Sequence, residues 1–166
     1  MSINTLFNDN WEFTKQCIGC DIENVLNDNN AWKKIDIPHD WMIYDTDFFH
    51  ESSEGWYKKH FAVILEAGNT NRYLLRFEGV YMDSTVYVNG SKVGEWKYGY
   101  STFEFDITDA LKDGENELLV RVVLQIPNSR WYSGAGIYRK VWLSTVPKVH
   151  LASDGVYIST QRSDKG

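Results

Sequence analysis

An all-β chain folded as an antiparallel sandwich is what this sequence predicts, and three observations carry the prediction. From residue 56 onward apolar side chains recur with a period of two, the signature of strands with one face inside and one outside. Turn residues punctuate the alternation, and Asn89-Gly90 between two apolar runs is the strongest hairpin signal, because both residues tolerate positive φ. No helical pattern separates the runs, which argues against a parallel sheet with crossover helices.

Taken in order, Trp11 and Phe13 suggest a first strand. ENVLNDNNAWKKIDIP reads as a polar loop and then a short edge strand ending at Pro38, and residues 39–55 carry no clear period. In WYKKHFAVILE, Tyr57, Lys59, Phe61, Val63 and Leu65 share one face, with His60, Ala62 and Ile64 on the other. RYLLRFEGV aligns Tyr73, Leu75 and Phe77; STVYVNGSKVG places Val86 and Val88 before its turn and Val93 after it. STFEFDI repeats the pattern with Phe103, Phe105 and Ile107. DITDALKDGEN reads as a short helical turn capped by Thr108, with Leu111 inward and Gly114 as its stop. NELLVRVVLQI keeps Leu118, Val120, Val122 and Leu124 in phase, and IYRKVWLSTV and DGVYIST supply two more strands.

The chain has 166 residues, enough for one domain with a core that needs no disulfide or metal staple. Aromatic residues make up 15%, which puts large flat side chains at many positions. The net charge of −6 comes with no basic stripe, which argues against a nucleic-acid partner. No apolar run approaches the roughly 18 residues that cross a bilayer, so no membrane partner is expected. The opening MSINTLFNDNW shows no secretory signal, and a cytoplasmic location is expected. Cys17 and Cys20 form a lone CxxC without two further soft ligands at metal spacing, and read as ordinary structural thiols. No metal or cofactor is expected.

Chemistry is harder to place than fold. Asp36, Asp40, Asp45, Asp47, Glu51 and Glu54 cluster in the irregular segment and read as solvated loop charge rather than a catalytic pair. There is no nucleophile elbow and no phosphate loop. Binding is easier to argue, because aromatic plates beside polar side chains suit the faces and edges of sugars. Trp41, Trp56, Trp96, Trp131, Tyr98, Tyr100 and Tyr132 fall in or beside loops, though most of them read as packing. Trp131 and Tyr132 are adjacent and cannot both point into a core; with Asn128-Ser129-Arg130 before them and Gly134 and Gly136 after, they suit a ligand loop or a structural corner.

Several stretches converge in order: LFNDNWEF (6–13), IPHDW (37–41), EGWYKKHF (54–61), FEGVYMDSTVYVNGSKVG (77–94), YGYSTFEFDIT (98–108) and RWYSGAGIYRKVWL (130–143). Together they resemble the N-terminal sugar-binding domain of family 2 glycoside hydrolases, the β-galactosidase, β-glucuronidase and β-mannosidase group. The resemblance implies a jelly-roll antiparallel β-sandwich, galactose-binding-domain-like, over residues 1–148. It also implies that 149–166 begin an immunoglobulin-like second domain that is cut short.

In that family the catalytic pair lies in a later barrel domain, so the resemblance implies that this chain alone is inactive. Its partners would be a terminal β-linked sugar and the catalytic barrel of the same chain, in an intact enzyme that forms homo-oligomers. The implied substrate-binding residues are Asn128, Arg130 and Trp131, with Glu51 as a further candidate. Some members carry an Asp just before the RWY motif and an Asn near position 52; here Asn128-Ser129-Arg130 and Ser52-Ser53 stand instead. Gly134, Gly136 and Arg139 read as shaping the corner, and His39 and Asp40 as a buried polar pair bracing the irregular segment. The alternative reading is a free-standing carbohydrate-binding module; a third is a purely structural interface domain.

Overall fold

Ten strands form two antiparallel sheets in the structure, a computed structural model that describes residues 2–27, 32–44, 51–65, 68, 70–127 and 134–162. The strands are β1 (Ile3–Leu6), β2 (Trp11–Gln16), β3 (Lys33–Ile35), β4 (Ser53–Val63), β5 (Arg72–Phe77), β6 (Ser84–Val88), β7 (Ser91–Trp96), β8 (Phe103–Asp106), β9 (Gly114–Leu124) and β10 (Val141–Val146). Two short helices, α1 (Ile22–Asn27) and α2 (Trp41–Tyr44), complete the set with a 3-10 turn at Thr108–Ala110. One sheet runs β1-β10-β5-β8, the other β3-β2-β4-β9-β6-β7, and every neighbouring pair is antiparallel. This is the jelly-roll sandwich that the alternation and the resemblance lead one to expect.

The predicted faces are the observed ones. Tyr57, Phe61, Val63, Leu118, Val120, Val122, Leu124, Val86 and Val88 line the core from the larger sheet, against Tyr73, Leu75, Phe77, Phe103 and Val141 from the smaller. Lys59, in phase with that inner face, is buried too: its ammonium donates to the Asp9 carbonyl and sits 4.6 Å from the Phe7 ring centroid. Asn89 and Gly90, at φ +50° and +79°, close the β6–β7 hairpin with a two-residue turn, as expected.

Four details depart from expectation. β1 is a strand despite being exposed along its length, because its backbone pairs with the edge of β10 from Ile3↔Thr145 to Leu6↔Trp142. Part of the expected polar loop is α1, whose first turn is capped by the Asp21 carboxylate accepting from Glu23 N–H at 3.0 Å. Thr108 is not the cap of its turn; Asp106 Oδ1 accepts from Thr108 N–H, and the Thr108 hydroxyl accepts from Tyr73 N–H. Residues 154–160 belong to no strand and lie exposed, because their β-forming side chains find no neighbouring ladder to join.

Candidate functional site

Three chain segments meet at one end of the sandwich around Gly136. His39 N–H donates to Ile137 O at 2.8 Å and Trp41 N–H to Ala135 O at 3.0 Å, so 39–41 runs along 135–137 like a short ladder. On its other side Gly136 exchanges both backbone bonds with Tyr81, at 2.8 and 2.9 Å. Asp40 Oδ1 accepts from Met42 N–H and Ala135 N–H, both at 3.0 Å, which starts α2 and fixes the carboxylate. Beneath them, the Tyr57 hydroxyl lies 2.9 Å from His39 Nδ1 and accepts from Ile137 N–H at 3.4 Å. Gly136 has φ +128°, and a Cβ there would stand 2.3 Å from the Tyr57 hydroxyl and 2.5 Å from His39 O. Only glycine fits. His39 and Asp40 are thus the buried bracing pair expected from sequence, and Gly136 shapes the corner. Burial holds the His39 imidazole below its ordinary value, against the charge of Asp40, so it is neutral near pH 7.

Outside this knot lies a cleft of about 480 Å³ lined by Pro38, His39, Asp40, Ile43, Tyr100, Tyr138 and Arg139. Tyr100 contacts Tyr81 and the exposed Tyr98 edge-on, with centroids 5.3 and 5.6 Å apart. Tyr138 donates its hydroxyl to Gly99 O at 2.8 Å, and the Arg139 guanidinium lies 5.4 Å from its ring centroid. Flat rings, a carboxylate and a guanidinium around one opening are the elements that hold a sugar by its apolar face and its hydroxyls.

Asn128, Arg130 and Trp131 lie outside the described residues, as do Asp45, Asp47 and Tyr132. Glu51 is described and exposed, just before β4. The structure does bring together the chain segments from which these candidates extend. Ser53 pairs with Leu124, Ser52 Oγ accepts from Ile126 N–H at 3.0 Å, and Ser53 Oγ accepts from Trp41 Nε1 at 3.2 Å. The strand entrance after Glu51, the strand exit before Asn128 and the Asp40–Trp41 corner are therefore adjacent.

Of the acidic residues clustered in the irregular segment, Asp40 is the buried bracing residue just described, whereas Glu54, read as solvated charge, is fully buried on the outer face of β4. Glu54 accepts from Arg121 Nη2 and Gly19 N–H (3.2 Å) on one oxygen, and from Trp56 Nε1 (2.7 Å) and Cys20 Sγ (3.5 Å) on the other. Burial alone would raise its carboxyl; Arg121 and the other donors outweigh that and hold it below the ordinary range. Trp56, placed beside a loop from sequence, is likewise buried mid-strand, 6.3 Å from Tyr87 in a stacked pair. The covalent distance of the partners hid this cluster, since Arg121 follows Glu54 by 67 positions. Among the described residues no group of three or more His, Cys, Asp and Glu is placed to hold a metal, and no helix is long and apolar enough to cross a membrane.

Against known proteins, the family model for "Glycosyl hydrolases family 2, sugar binding domain" matches residues 29–147. The β-galactosidase BoGH2A of Bacteroides ovatus is 43% identical over 151 residues, spanning 82% of this chain and 17% of that protein. A β-glucuronidase of Bacteroides fragilis is 31% identical over 170 residues, spanning 92% of this chain and 23% of its own length. Among solved structures, β-glucuronidase 2 of Bacteroides uniformis, covalently bound to cyclophellitol-6-carboxylate aziridine, superposes with a TM-score of 0.73 at 30% identity, covering 93% of this chain and 19% of that one. The chain thus spans about a fifth of the length of the proteins it matches.

Proposed function

Because the chain belongs to the sugar-binding domain family of the family 2 glycosyl hydrolases, we propose that it is the non-catalytic N-terminal domain of a β-galactosidase-like retaining glycoside hydrolase. In the longer protein it supplies one wall of the pocket for a terminal β-linked sugar, docks on a catalytic barrel and supports a homo-oligomer. The observation that carries this reading is the convergence of the chain just after Glu51, the chain just before Asn128 and the Asp40–Trp41 corner, through Ser52–Ile126 and Ser53–Trp41 bonds. A rim built from three loops on a rigid sheet is how a β-shell offers specificity to a neighbour.

Retaining hydrolysis needs two carboxyl groups roughly 5–5.5 Å apart, one of them poised as an acid, and no cofactor. The two buried carboxylates described here cannot take those roles. Asp40 is bound to backbone amides in the corner, while Glu54 faces outward with Arg121 and is held ionised. The choice of β-galactoside as substrate rests on the 43% identical relative, a β-galactosidase. In the longer enzyme, Arg130→Ala and Trp131→Ala lower kcat/KM for a chromogenic β-galactoside by about tenfold or more with an unchanged melting temperature. Unchanged kcat/KM in both variants would remove that loop from the pocket.

A further inference from the structure

Cys17 and Cys20 flank a turn centred on Ile18 and Gly19, with Gly19 at φ +77°. The ends of such a turn approach to within about 7 Å, which overlaps the roughly 4.4–6.8 Å between Cα atoms joined by a disulfide. Nothing lies within 4 Å of where a Gly19 side chain would begin, so the outer side of the turn is open. Both thiols are free; Cys17 is exposed and Cys20 half-buried. The turn leans on the outer face of β4, where Cys20 Sγ and Gly19 N–H each bond one oxygen of the buried Glu54 carboxylate.

We propose that Cys17 and Cys20 form a thiol–disulfide exchange site, at which a small disulfide of the glutathione class converts the pair to an intramolecular disulfide and withdraws one donor from Glu54. The exposed Cys17, as thiolate, attacks the small disulfide; a mixed disulfide forms and one small thiolate leaves. Cys20 then gives its proton to that thiolate, and its sulfur attacks Cys17 Sγ, expelling the second thiolate. Two protein thiols are oxidised and one small disulfide is reduced to two thiols. Burial and the Glu54 charge keep Cys20 protonated until then, which suits a resolving rather than an attacking thiol. The Cys20 bond to Glu54 favours the dithiol, so the disulfide is readily reduced again and works as a reversible modification, not a staple.

The test equilibrates the 166-residue chain in glutathione buffers of rising oxidised fraction, traps the thiols by alkylation and measures intact mass. The expected product is two hydrogens lighter, carries no glutathione and reverts with dithiothreitol. Cys20→Ser, lacking the resolving thiol, accumulates a glutathione adduct on Cys17. Glu54→Gln shifts the midpoint toward more reducing buffer by at least about threefold, through loss of the charged acceptor. A wild-type chain that stays dithiol throughout, or stops at the glutathione adduct, overturns the proposal. Should Glu54→Gln not fold, the wild type and Cys20→Ser decide the matter.

Discussion

Tyr57 and Glu54 stand three residues apart on β4, and so face opposite sides of the same sheet, where each anchors a buried polar cluster. The inner cluster, with His39, Asp40 and Gly136, is fixed by backbone: most of its bonds run to main-chain groups, and its tolerance is set by atoms already in contact. The outer cluster, with Arg121, Trp56 and the Cys17–Cys20 turn, is fixed by charge, and its bonds run mainly between side chains. The contrast teaches where each can fail. The inner knot breaks by steric intrusion, the outer clasp by removing, protonating or oxidising a partner.

The largest expected effect is on the inner side. Gly136→Ala adds a methyl into the Tyr57 hydroxyl and the His39 carbonyl at a φ that only glycine adopts freely, and is expected to destabilise by about 3 kcal/mol or more. Denaturant unfolding measures it, and a cost below about 1 kcal/mol would mean that the knot is not sterically closed. On the outer side, Glu54→Ala leaves Arg121 unpaired in a half-buried place. The expected cost is about 2–3 kcal/mol, below that of a fully buried pair because water reaches part of the guanidinium. Restoring most of that loss by adding Arg121→Met would sharpen the distinction between an ion pair that stabilises and one that merely must not be halved.

Acid separates the clusters more gently. His39 titrates below its ordinary 6.5 through burial, against Asp40, and Glu54 below its ordinary 4.5 because Arg121 and its other donors outweigh burial. In both cases the unfolded chain binds protons first. Stability is therefore full above the unfolded value and declines as pH falls toward the native one. Thermal unfolding against pH should show one decline opening near pH 6.5 and a second near 4.5. His39→Gln removes the first and Glu54→Gln weakens the second. Asp106, whose burial is outweighed by Thr108 and Arg72, is also held below its ordinary value and contributes to that second decline at lower pH. A profile indifferent to either substitution would break the assignment.

The same two faces explain what the sequence made legible. The inner face of β4 and β9 was readable because every second residue from Tyr57 to Val63 and from Leu118 to Leu124 is in phase, and a sandwich core needs only that. His39, Asp40 and Gly136 could be named because a polar pair and a glycine within an otherwise irregular corner have few roles to fill. Glu54 could not, since it falls in a stretch without a clear period and its cover, the Cys17–Cys20 turn, comes from far along the chain. β1 escaped for the opposite reason: its side chains carry no burial pattern, and only backbone pairing with β10 makes it a strand. DGVYIST shows the converse error, β-forming residues with no ladder beside them. Of the candidate site, the corner was legible as chemistry, whereas the adjacency of the chain just after Glu51 to the chain just before Asn128 follows from the β4–β9 register.

The proposed function divides the labour, with a rim of loops on this β-shell and bond cleavage by carboxylates outside the described residues. Purified 166-residue chain incubated with p-nitrophenyl β-galactoside and p-nitrophenyl β-glucuronide tests it most directly. No nitrophenol above the buffer rate is the expected result. Release that follows the protein peak through a second column, and that is lost in Glu54→Gln or Asp40→Asn, would contradict it.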